Sequence, residues 1–207
     1  MSQALVVLGA GGHSRPLIDA ALEAGFEIHG VIDLDYHGQS EHILGCEILG
    51  GPELLDDATL PRAAVVAIGD NGLRRVWFER LQAGGWMLPR IVHPRALVSR
   101  FCEIGQGAFV NVGAMLNAGV TIGDDTIVNT GALVDHEAVV SAHSHIGPGA
   151  RLAGRVTVGE QSFVGAGATV IQQVRVGDRA VIGAGAAIIR DVADGATVVG
   201  VPGRVLG

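Results

Sequence analysis

Two hydrophobic rhythms divide the chain. From Ala96 onward every sixth residue is aliphatic: Val98, Ile104, Val110, Leu116, Ile122, Val128, Val134, Val140, Ile146, Leu152, Val158, Val164, Val170, Val176, Ile182 and Ile188 form an unbroken series. Two places before each stands a small or β-branched residue, such as Ala96, Ala108, Thr126, Ala132, Ser144, Val156 or Ser162, and Gly, Asn or Asp often follows. A repeat this regular dictates the architecture before any other argument applies. Alternation of in- and out-pointing residues over two or three positions is a short strand, and the rest of each hexad is a tight bend. Three such units close a triangular coil, and successive coils stack at strand spacing, about 4.8 Å. Burying one aliphatic side chain contributes about 1.5–3 kcal/mol before entropy is subtracted, so the stack needs no large aromatic core.

The first 90 residues read differently. ALVVLG (4–9) is a short apolar strand, AGGH (10–13) a turn, and SRPLIDAALEAG a helix. A strand ending in VID (31–33), a strand in AAVVAIGD (63–70) and a helix over NGLRRVWFERLQAGG (71–85) follow. Strands alternating with helices predict a small parallel α/β unit. The expected organisation is an α/β domain over 1–90 and a β-solenoid over 96–207, with IVHP in a connecting segment.

Gly9, Gly11 and Gly12 form a glycine-rich turn between a strand and a helix, where backbone N–H groups attract phosphate and absent side chains permit close approach. Asp33 ends the next strand, about twenty residues on, where a carboxylate can hold ribose hydroxyls. Ser14 stands at the third glycine position of the dinucleotide fingerprint. The unit therefore reads as a pocket for one nucleotide, with a sugar carried through its pyrophosphate. The alternative is a tight strand-to-helix connection without a ligand. Arg74 reads as a solvent-facing helix arginine.

Composition narrows the chemistry. The chain is 48% hydrophobic with only 4% aromatic residues and 32 glycines, as a scaffold of small and β-branched side chains requires. A net charge of −7 argues against nucleic-acid or membrane-surface binding. Two cysteines, Cys46 and Cys102, make no disulfide framework and fit a reducing compartment; with neither a signal peptide nor a bilayer-length apolar run in view, a cytoplasmic location is expected. All fourteen basic residues are arginine, which excludes lysine Schiff bases and the P-loop lysine.

Three histidines crowd NTGALVDHEAVVSAHSHIGPG (129–149). The six-residue register separates them: His136 and Glu137 fall at the bend after Val134, His143 at the next bend, and His145 on an outward strand position before Ile146. One chain cannot converge them on an ion about 2.0–2.1 Å from each nitrogen, so no metal is expected. His143 reads as a solvated surface residue. A histidine near neutrality can serve as a general base.

The hexad array, with the tail GVPGR (200–204), resembles the left-handed parallel β-helix of hexapeptide-repeat acyltransferases. The succession GAGGH, VID, AIGDN and DHE across nearly the whole chain resembles the PglD/NeuD group of nucleotide-amino-sugar N-acetyltransferases and sialic-acid O-acetyltransferases. That resemblance implies a homotrimer with active sites between subunits and acetyl-CoA as co-substrate. The acceptor it implies is the amino group of a UDP- or GDP-linked 4-amino-6-deoxyhexose of the kind used in bacterial surface glycans. It assigns His136 as base and Glu137 as its polarising partner. Gly11, Gly12, His13, Asp33 and Gly69 would contact the nucleotide sugar, and His145, Ala166 and Ala184 the acetyl-CoA. Where relatives using uridine nucleotides have two adjacent aspartates, this chain has Asp33-Leu34, which leaves the base open. The competing readings are a sialic-acid-type O-acetyltransferase and, from another class, a non-catalytic nucleotide-sugar-binding trimeric scaffold.

Overall fold

The computed structural model describes residues 3–38 and 41–206. It begins with β1 (Ala4–Leu8), α1 (Ser14–Glu23), β2 (Glu27–Ile32), β3 (His42–Ile43), β4 (Cys46–Gly50), β5 (Ala64–Val66) and α2 (Asn71–Ala83). The strands form one sheet in the order β3-β4-β2-β1-β5, parallel except for β3 against β4. Leu5 and Val7 point to one side of β1 and pack with Leu17 and Ile18 of α1. Val6 and Leu8 point to the other and pack with Phe78 and Leu81 of α2. Strand alternation thus gives β1 two buried faces, as a central parallel strand requires. Asp70 caps α2, its side chain accepting from Leu73 N at 2.7 Å.

The remainder is a left-handed parallel β-helix with an 18-residue coil and three faces. The first face starts at β6 (Ile91–Val92) and continues through Phe109–Val110, Ile127–Val128, His145–Ile146, Phe163–Val164 and Val181–Ile182. The second face runs from Leu97–Val98 to Ala187–Ile188, and the third from Glu103–Ile104 to Arg175–Val176. The solenoid register therefore reaches one hexad further back than the aliphatic series from Val98: Val92 occupies the inward place and Ile91 pairs with Phe109. The segment with IVHP is the first rung rather than a connector.

Inward-facing aliphatics and the small residues two places earlier make one continuous core from Ala108 to Val198. Thr126, Ser144 and Ser162 lie in the same inward column and satisfy their hydroxyls on carbonyls of the next coil. The outward residues of the first face, Ile91, Phe109 and Ile127, join the core on the α1 side of the sheet. That face is covered by the α/β unit. Among the described residues no helix is long and apolar enough to cross a membrane.

Candidate active site

Because β1 lies between β2 and β5, its two neighbours are reached by helices on opposite sides of the sheet, which opens a crevice at the carboxyl ends of the strands. Gly9, Gly11, Gly12, His13, Asp33 and Gly69 line one cleft of about 190 Å³ there, with Leu34, Asp35 and Leu73. Gly11 and Gly12 are exposed, and a β-carbon at either would meet nothing within 4 Å. The Ser14 hydroxyl donates to Gly11 O at 2.6 Å and holds the turn against the start of α1, whose first turn carries no acidic side chain. That leaves the helix N-terminus open to an anion. Asp33 Oδ1 accepts the Asp35 amide at 3.2 Å.

His13 leaves this cleft toward the solenoid. A β-carbon at Gly69 would come within 2.6 Å of its Cε1, and its ring meets His145 edge-on, with centroids 5.4 Å apart. His13 Nε2 is buried and has no hydrogen-bond partner among the described residues. Burial, then the Arg74 charge, hold the His13 pKa below its ordinary value. His145 points outward from its coil but lies under the α/β unit, 5% exposed. Asn129 Nδ2 approaches its Nε2 at 3.2 Å. Burial first, then Arg74 and His13, push its pKa down to about 3. The ring is thereby kept neutral.

His143 is not at the surface. It is 7% exposed, its Nδ1 lies 2.9 Å from Asp125 Oδ2, and Phe78 of α2 packs edge-on against it. Nor does Arg74 face solvent. Its Nε lies 3.2 Å from Asp125 Oδ2, and its guanidinium donates to Asn71 Oδ1 and to the backbone carbonyls of Asp125 and His143. Both corrections have one cause. The register identifies a bend, but a surface column becomes a buried one when α2 lies across it. Burial lifts the Asp125 carboxyl above its ordinary value, against the pull of His143 and Arg74.

His136 and Glu137 occupy the corner between the second and third faces, opposite the face that carries the α/β unit. Both side chains are 54% exposed, and His136 Nδ1 faces Glu137 Oε2 at 3.4 Å. The same oxygen receives Arg155 Nε at 2.6 Å. Asp135 Oδ1 fixes the approach, accepting from His136 N at 2.8 Å and Asn117 Nδ2 at 2.6 Å.

The corner between the first and second faces has another character. Its last place is glycine in five successive coils (Gly113, Gly131, Gly149, Gly167 and Gly185), all left-handed. Ala166 and Ala184 precede two of them, exposed, and among the described residues neither amide N–H donates to a backbone carbonyl. The result is a smooth edge bearing free donors. Among the described residues no group of three or more His, Cys, Asp or Glu side chains is disposed to hold a metal ion.

A family model described as the PglD N-terminal domain matches residues 4–81, and one for the bacterial transferase hexapeptide repeat matches 155–190. A histidine-to-asparagine variant of perosamine N-acetyltransferase from Caulobacter crescentus, solved with CoA and GDP-perosamine, is 36% identical, with 99% of this chain and 97% of that one covered at a TM-score of 0.94. The chain belongs to the PglD family of hexapeptide-repeat acetyltransferases. The acetyltransferase domain of PglB from Neisseria gonorrhoeae FA1090, solved with acetyl coenzyme A, is 39% identical over the full length of both chains, with a TM-score of 0.92. WeeI from Acinetobacter baumannii AYE shares the fold at 23% identity and a TM-score of 0.87. No curated protein sequence matches the chain.

Within this PglD-family chain the expected site residues fall in three places. Gly11, Gly12, His13, Asp33 and Gly69 meet in the cleft, with His145 against it from the coil. Ala166 and Ala184 lie along the glycine edge, and His136-Glu137 stands on the far corner. Sequence reasoning did not find Arg74, Asp125 or Asn129. The available signal was the coil length: Asp125 and His143 are 18 residues apart and stack.

Proposed function

We propose that this chain transfers the acetyl group of acetyl-CoA to the amino group of a nucleotide-linked amino-deoxy sugar, with a GDP-linked 4-amino-6-deoxyhexose as the first substrate to test. The observation that carries this is full-length likeness, at 36% identity, to an enzyme solved with CoA and GDP-perosamine together. The local geometry agrees with it. The cleft at the strand ends offers backbone N–H groups and a helix N-terminus to a diphosphate, and Asp33 to ribose hydroxyls. The glycine edge admits a chain pressed against the backbone, with the Ala166 and Ala184 amides free to donate to it.

The thioester is already activated, so the protein must orient the amine and accept a proton. As the new N–C bond forms and the C–S bond breaks, His136 takes the proton from the attacking nitrogen through Nε2, and the sulfur leaves as a thiolate that takes that proton back and departs as CoA thiol. Glu137, at Nδ1, fixes the tautomer that leaves Nε2 free to accept. His136 stands on the corner opposite the α/β unit, so the base of one chain meets the cleft of another. A trimer built around the solenoid supplies that meeting.

The test is CoA-thiol release with GDP- and UDP-linked 4-amino sugars and with matched hydroxyl sugars, the product being weighed by mass spectrometry. Acetylation of the amino sugar is expected. Transfer to the hydroxyl sugar alone would make the protein an O-acetyltransferase, and nucleotide-sugar binding without thiol release with any acceptor would make it a scaffold.

A further inference from the structure

We infer that Gly154 and Arg155, one coil after His136 and Glu137, are positioning residues that hold the base and its carboxylate partner in their working directions. The inference rests on the reading of His136 as that base. The coil is 18 residues long, so Gly154 stacks on His136 and Arg155 on Glu137. The contacts bear this out. A β-carbon at Gly154 would run into Nε2 and Cε1 of the His136 ring, which therefore lies flat over the bare Gly154 backbone. Arg155 Nε holds Glu137 Oε2 at 2.6 Å, and His136 Nδ1 faces that same oxygen at 3.4 Å. The Arg155 amide also donates to His136 O at 2.9 Å.

Glu137 and Arg155 both sit in left-handed backbone, at φ 56° and 59°, where the preceding coil has Gly119. Side chains at such a place are disfavoured, so the carboxylate and the guanidinium are kept at a backbone cost that glycine would avoid. The charged groups around the ring are few. Asp135 and Glu137 come from its own corner and Arg155 from the following coil, while the preceding coil offers the neutral Asn117. Arg155 holds the Glu137 carboxyl below its ordinary range. Because it binds the oxygen that faces Nδ1, Arg155 fixes where the carboxylate meets the ring.

The experiment compares Gly154→Ala, Arg155→Met, Arg155→Lys and His136→Ala in the acetyl-transfer assay, with kcat and KM measured across pH. Gly154→Ala is expected to lower kcat about 10- to 100-fold with KM for both substrates unchanged, since a misplaced reacting group costs rate rather than binding. Arg155→Met is expected to lower kcat about tenfold with KM unchanged, and Arg155→Lys to recover much of that loss. Arg155 is exposed at the tip of a corner, so its variants keep the fold, and thermal melting of each checks this. If His136→Ala is inactive while Gly154→Ala and Arg155→Met both keep the parent kcat, the positioning role is overturned and the base assignment stands. If His136→Ala is fully active, the assignment itself falls.

Discussion

Arg74 Nε lies 3.2 Å from Asp125 Oδ2, and both side chains are 1% exposed. This pair joins the two halves of the chain. The same guanidinium reaches His143 O at 2.8 Å on the coil and Ile68 O at 3.3 Å on the loop that ends at Gly69. Removing one member leaves the other charge buried without its partner, which typically costs about 3–5 kcal/mol. Arg74→Met is therefore expected to lower the unfolding free energy in urea by about that amount. Replacing both, as Arg74→Met with Asp125→Leu, should recover much of the loss. A single variant within about 0.5 kcal/mol of the parent would show that the clamp is not needed.

The cleft glycines separate folding from binding. At Gly12 a β-carbon meets nothing within 4 Å, whereas at Gly69 it meets the His13 ring at 2.6 Å. Gly12→Ala should therefore melt with the parent yet weaken nucleotide-sugar binding by about tenfold or more, because it fills the approach a diphosphate needs. Gly69→Ala should disturb both, since His13 must move against His145. Calorimetric titration beside thermal melting reads the two effects. Unchanged affinity in Gly12→Ala would place the phosphates elsewhere.

Most of the fold was legible because each hexad repeats the same physical instruction, from Val98 to Ile188. The α/β unit was legible for a similar reason: ALVVLG and VID are short buried strands, and AGGH is a glycine-rich turn between a strand and a helix. The register also separated the three histidines correctly onto different corners and faces. It could not say which face the α/β unit would cover, because that depends on contacts between elements far apart in sequence, such as Phe78 with His143 and Arg74 with Asp125. His143 and Arg74 were misread for that reason. The register was also begun one hexad late, because the Ile91–Val92 rung looks like any short apolar pair next to a proline.

His136 is expected to carry the proton transfer, and a positioned base contributes about 10²- to 10⁴-fold. His136→Ala should lose about that factor in kcat, with substrate affinities by titration close to the parent. Glu137→Gln should lose less, since it keeps a hydrogen-bonding group at Nδ1 while removing the charge. A His136→Ala enzyme at parent kcat would sink the assignment, whatever its KM.

His145 makes a prediction about acid stability that does not depend on the reaction. In the unfolded chain its imidazole titrates near the ordinary histidine value of about 6.5, whereas in the folded protein its pKa is about 3, pushed down by burial and by Arg74 and His13. Between those two values the unfolded chain binds a proton that the folded one does not. The stabilisation is therefore complete above about pH 6.5 and falls as the pH drops toward 3, by about 1.4 kcal/mol per pH unit and at most about 5 kcal/mol in total. His13, with its pKa also lowered, adds a loss of the same sign. His145→Gln should remove close to one proton from the slope of unfolding free energy against pH between 6 and 4, as read from urea denaturation at several pH values. It should be less stable than the parent at pH 7, where the neutral ring lies buried beside Asn129 under the α/β unit, and the gap should narrow in acid. Parallel slopes for parent and variant would mean that His145 is protonated in the folded protein and that the α/β unit does not seal it from water.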